Sequence, residues 1–133
     1  MKLLDTYFNI KESSLAEGNL AGKFKVELNA DHPVYRGHFP GEPVCPGVCS
    51  MQMVKECAMQ LCNKELVFSY VKQYRLLSVM SPETNRDIEI NIELTPSVKD
   101  DSAEFYKIKA SVCALENPEL KYLDISGELT PAK

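Results

Sequence analysis

Between Gly37 and Gly47 three glycines and three prolines fall within eleven residues, in the order Gly37-His38-Phe39-Pro40-Gly41-Glu42-Pro43 and then Cys45-Pro46-Gly47. Proline fixes φ and biases the residue before it toward extended backbone, while glycine permits the tight conformations between, so few backbone paths are open to this stretch. The segment after it is of the opposite character. From Pro46 to Cys62 the residues Val48, Cys49, Met51, Met53, Val54, Cys57, Ala58, Leu61 and Cys62 surround nearly the whole circumference of a helix, with Ser50, Gln52, Lys55, Glu56 and Gln60 as its few polar members. The pattern predicts one long helix buried in the centre of a fold and entered through a stiff loop that holds His38 in place. Pro46 suits a first helical turn, and the free N–H groups near Gly47 and Val48, with the positive end of the helix dipole, would face that loop.

The rest of the chain must cover such a helix. Residues 3–13 mix apolar and polar types and predict a short helical turn leading into a strand, and residues 16–19 form a turn. Phe24, Val26 and Leu28 alternate with charged residues, as do Ile88, Ile90, Ile92 and Leu94, and then Tyr106, Ile108, Ala110, Val112 and Ala114. Each alternation predicts a strand with one buried face. Residues 66–80 are rich in β-branched and aromatic types and predict a long strand, and Pro96 is expected to stop the one that begins at Ile88. Between Leu120 and Leu129 the apolar phase slips near Tyr122, which predicts a bulge there. The expected class is α+β, an antiparallel sheet wrapped around one long buried helix, in a single domain spanning 1–133.

Composition excludes several functions. A net charge of −4, with the 15 basic residues scattered, argues against general nucleic-acid binding. The N-terminal residues lack the apolar core of a signal peptide and no stretch approaches a membrane span, so a cytoplasmic location is expected. Five cysteines, three of them in the proposed helix, read as packed free thiols, and no metal or other cofactor is expected.

The run G-H-F-P-G-x-P-x-x-P-G-V at residues 37–48, leading into the apolar helix, resembles the signature of the hot-dog-fold 3-hydroxyacyl-ACP dehydratases. Chain length and element order agree with that family along essentially the whole sequence. The resemblance implies a hydro-lyase converting 3-hydroxyacyl-ACP to the trans-2-enoyl thioester, in fatty-acid or polyene-type synthesis. It also implies pairing of two sheets edge to edge, in a homodimer or in a heterodimer with a related hot-dog chain.

Such dehydration removes a proton from C2, stabilises charge on the thioester oxygen and protonates the departing hydroxyl. His38 fits the first role and the Gly47 N–H the second, with Val48, Phe39 and Pro46 beside the bound thioester. The third role departs from the family. Where the dehydratases carry an acid fourteen residues after the histidine and typically Gln one turn later, this chain has Gln52 and then Glu56. A carboxamide cannot release a proton, so three mechanisms are open: Glu56 supplies the proton from one turn further on, His38 works alone while Gln52 orients the hydroxyl, or the subunit is a weak or inactive binder of acyl-ACP that pairs with an active dehydratase. A hot-dog thioesterase is a further, less favoured alternative. The acyl carrier protein is acidic, and Arg36, Lys72, Arg75 and Arg86 are the candidates for docking it. His32, before Pro33, reads as an ordinary turn residue.

Overall fold

The computed structural model describes residues 2–16, 18, 20–37 and 41–132. Six strands form one antiparallel sheet: β1 (Phe8–Leu15), β2 (Ala21–Leu28), β3 (Leu66–Leu76), β4 (Asp87–Val98), β5 (Glu104–Ala114) and β6 (Lys121–Pro131), in the order β1-β2-β4-β5-β6-β3. The α-helix α1 spans Gly47–Cys62, and a 3-10 turn, Pro33–Arg36, precedes it. Period-two alternation sends Phe24, Val26, Ile88, Ile90, Ile92, Ile108, Val112, Leu123 and Ile125 to one face, where they are buried in one core with Met53, Val54, Cys57, Ala58 and Leu61 of α1. Burial of each such side chain is worth about 1.5–3 kcal/mol, which explains why a helix with so narrow a polar face is stable only inside the sheet.

Several details are set by single residues. Thr6 and Tyr7 donate their N–H groups to the Leu3 carbonyl, giving the expected turn before β1. His32 accepts the Val34 N–H on Nδ1 at 3.1 Å and caps the 3-10 turn, in keeping with a turn role. At the expected bulge, Val112 pairs with Leu123 but Cys113 with Lys121, so Tyr122 is the extra residue. α1 ends at Asn63, whose left-handed backbone (φ 55°) turns its N–H onto the Met59 carbonyl.

Two expectations change. β4 runs through Pro96 to Val98, with Pro96 opposite Tyr106. The Leu94 N–H donates toward β2, to Leu20, and two residues on Pro96 faces the same side, past the point where β2 begins. A proline without an N–H therefore leaves no ladder bond unmade on that side. The strand predicted over 66–80 ends at Leu76, after which Leu77 and Ser78 both donate to the Tyr122 carbonyl and the chain leaves the sheet.

β1 and β3 are the sheet edges. β3 has Val67, Tyr70, Val71 and Leu76 exposed. The register of β3 on β6 shifts twice, between Phe68 and Tyr70 and between Val71 and Gln73. Opposite these shifts Gly127 packs so closely that an added Cβ would run into the Tyr70 carbonyl oxygen.

Candidate active site

α1 begins without a side-chain cap. Pro46, extended at φ −63° and ψ 142°, occupies the N-cap position, has no hydroxyl or carboxylate to offer, and is followed by exposed Gly47 and Val48. The first N–H groups of a helix have no intrahelical acceptor, so this end presents donors and positive potential outward. His38, the expected base, and Phe39 and Pro40 lie outside the described residues.

Gln52 and Glu56 are brought together on α1. Glu56 is almost completely buried, at 4% exposure, and its carboxylate accepts three N–H groups. Leu3 N donates to Oε2 at 2.7 Å, Leu4 N to Oε1 at 2.8 Å, and the Gln52 amide Nε2 to Oε2 at 2.8 Å. Both carboxylate oxygens are thus tied to the N-terminal segment, across 53 and 52 positions of sequence. A carboxylate only accepts, so the NH2 end of Gln52 is turned to Glu56 and its carbonyl end is turned the other way. The anchoring partners, Leu3 and Leu4 backbone, carry no sequence signal at all.

A second cluster, which the sequence did not reveal, lies behind the start of α1. The Tyr35 hydroxyl and Cys45 Sγ are 3.4 Å apart, and the Tyr7 ring stacks on Tyr35 at 5.9 Å. His32 meets the Tyr7 ring edge-on at 5.4 Å. The Tyr7 hydroxyl is wholly buried and has no hydrogen-bond partner among the described residues. Burial pushes Tyr7, Tyr35 and Cys45 above their ordinary values, so all three stay protonated. Tyr74 reaches the same end of the helix from β3: its hydroxyl stands 3.5 Å from where a Cβ on Gly47 would be, with Ser50 and Cys45 as polar neighbours. Two register shifts upstream in β3 upset the period-two phase, which is why the face of Tyr74 was not legible.

The four candidate docking cations are exposed and none is in an ion pair among the described residues. Arg36 closes the 3-10 turn whose Tyr35 touches Cys45, and Arg86 ends the loop that binds the Cys45 N–H through Met80. Arg75 lies on β3 opposite Asp124. Lys72 instead borders a trough of about 770 Å³ on the sheet, with Lys23, Asn91, Lys109 and Ser111. Arg36 thus lies next to a residue that touches Cys45, the carbonyl of Arg86 accepts from Leu28 at the end of β2, and Lys72 lies on the sheet. Among the described residues no group of His, Cys, Asp and Glu is arranged to hold a metal ion, and no helix is long and apolar enough to cross a membrane.

The fold is similar to that of known dehydratases. Over 92% of this chain and 96% of the other it superposes on a chain of the dehydratase heterocomplex ApeI:P from Xenorhabdus doucetiae, with a TM-score of 0.61 and 14% identity. An uncharacterized protein from Erwinia carotovora subsp. atroseptica gives 0.61 and 16% identity, covering 93% of this chain and 96% of that one. An inactive mutant of the CurJ dehydratase, solved with a bound compound, gives 0.52 and 12% identity, over 93% of this chain and 41% of that one. These likenesses establish the hot-dog fold. No curated protein is similar in sequence. The family model for ApeI-like proteins, described as ApeI dehydratase, matches residues 14–114, from the end of β1 to the end of β5 and including the whole loop and helix. The chain belongs to the ApeI-like dehydratase family.

Proposed function

We propose that the chain dehydrates 3-hydroxyacyl thioesters carried on acyl carrier protein, with His38 as the only proton-transferring side chain. The observation that supports this most is the state of Glu56: buried and accepting from three N–H groups, it is built as an anchor for Gln52 and the N-terminal segment. That arrangement favours a single-base mechanism over a proton relay through Glu56. The His38 imidazole takes the proton from C2, the C2 electrons form the double bond to C3, and the C3–O bond breaks. The same proton passes from His38 to the departing hydroxyl, which leaves as water. The thioester oxygen takes up charge beside the Gly47 N–H, and the Gln52 carbonyl, turned away from Glu56, accepts from the substrate hydroxyl and orients it. Val48, Pro46 and Phe39 border the bound acyl group. Arg36 and Arg86, with Arg75 and Lys72 on β3, offer cations to the acidic carrier protein. The exposed apolar edge at Val67, Tyr70 and Val71 suits pairing with a second hot-dog chain, and the expected site of action is the cytoplasm.

A second reading has its own support. The similar Xenorhabdus protein comes from a heterocomplex of two chains, and Gln52 replaces the acid of the family pattern. In this reading the subunit binds acyl carrier protein and pairs with a more active relative. A hydration and dehydration assay with enoyl and 3-hydroxyacyl thioesters separates the two, run on wild type, His38→Ala and Gln52→Glu. The proposed mechanism expects turnover in the wild type and its loss in His38→Ala with the fold intact; full activity in His38→Ala overturns it. An inert wild type with an active Gln52→Glu variant overturns the proposed mechanism and favours the second reading.

A further inference from the structure

We infer that Tyr74 is a second donor to the substrate's thioester oxygen, acting with the Gly47 N–H. The inference rests on the proposed thioester chemistry at the start of α1. In a helix every Cα–Cβ bond leans toward the N-terminus, the direction in which the unpaired N–H groups of the first turn also point. The Tyr74 hydroxyl is in contact distance, 3.5 Å, of the Cβ position of Gly47, so it stands beside the first turn of the helix that carries those N–H groups. The side chain is held there. Tyr74 pairs with Ile125 in the β3–β6 ladder, on the helix-facing side, and its ring packs on the core as a half-buried residue while its hydroxyl reaches the helix end.

The surroundings suit a donor. Burial, offset in part by Ser50 and reinforced by Cys45, leaves the phenol above its ordinary value, so the proton stays on oxygen at neutral pH. Nearby Ser50 is buried, and the Tyr35–Cys45 pair lines the inner side, so the phenol is flanked by neutral hydroxyl and thiol groups. A neutral donor at the positive end of a helix stabilises developing negative charge without bringing a full counter-charge that would hold the ground state as tightly. Removal of one oxyanion donor lowers kcat by about 100-fold or more in well-organised sites.

The test compares wild type with Tyr74→Phe, which keeps the ring and its packing. The expected result is a fall in kcat of about 100-fold with KM changed less than about 3-fold, because the bond strengthens only as charge develops. A binding measurement stands beside it: the infrared carbonyl stretch of a crotonyl pantetheine thioester, isotopically labelled at the carbonyl carbon. A stretch lowered on binding to wild type, and returned toward the free value in Tyr74→Phe, supports the role even if the wild type does not turn over, in which case the dehydratase reading alone falls. Equal stretches in the two proteins, or no lowering in wild type, overturn the role of Tyr74 while leaving the turnover result to judge the reaction.

Discussion

The two halves of α1 are built on opposite principles. At its start, Pro46 offers no cap, Gly47 and Val48 are exposed, and behind them the Tyr7 hydroxyl is buried with no hydrogen-bond partner among the described residues. Two turns later every oxygen of Glu56 is engaged, Cys57 and Ala58 are sealed from solvent, and the helix closes on a left-handed Asn63 that returns its N–H to Met59. Among the described residues one end has no side-chain cap, whereas the other is closed by side-chain and backbone hydrogen bonds. Donors at an exposed helix start remain open to an acceptor from outside the helix, which is the property the proposed thioester site draws on.

That contrast can be broken most severely at Glu56. Glu56→Leu orphans the buried N–H of Leu3 and the partly buried N–H of Leu4, and unfolding in denaturant should show a loss of about 3 kcal/mol, whereas Glu56→Gln, which keeps one acceptor oxygen, should lose about 1–2 kcal/mol. If Glu56→Leu is as stable as wild type, Glu56 is not an anchor. A smaller effect is expected at Cys57, whose thiol burial drives well above its ordinary value of 9.0. An acid whose value is raised by folding stabilises the folded state fully below its unfolded value and progressively less above it. Stability should therefore decline above about pH 9, with a slope reaching about 1.4 kcal/mol per pH unit for this one thiol. Denaturation of Cys57→Ala as a function of pH should show a shallower alkaline decline. The smallest change in stability belongs to the open end. In Gly47→Ala the new methyl would meet Tyr74 at ordinary contact distance, so the fold should be unchanged or up to about 0.5 kcal/mol more stable. Turnover should nonetheless fall at least about 10-fold, since the methyl would stand against the Tyr74 hydroxyl beside the proposed thioester site. Equal loss of stability at Glu56 and Gly47 would erase the difference between the two ends.

How much of this was legible depended on range. The strands at β2, β4 and β5 announced themselves because a half-buried strand writes its burial in period two, and the bulge at Tyr122 showed because one extra residue reverses that phase. β4 outran its Pro96 boundary because the tolerance of a proline depends on whether a neighbouring strand lies beside it, which is a property of β2 and not of the residues around Pro96. In β3 two shifts in a few residues scrambled the alternation, hiding the face of Tyr74.

By itself the sequence determined the stiff loop, the long buried helix and the sheet that must cover it, because glycine, proline and apolar periodicity act on the backbone within a few residues. It also determined that Gln52 stands where the family pattern has an acid. Only the tertiary structure decided what Glu56 bonds to, since its partners besides Gln52 are backbone N–H groups more than fifty positions away and any residue but proline can supply those. The same holds for the meeting of Tyr74 with Gly47, where a strand edge and a helix end are joined by the closing of the sheet around α1. Side-chain type is written locally, but the hydrogen-bond partner of a buried group is chosen by packing.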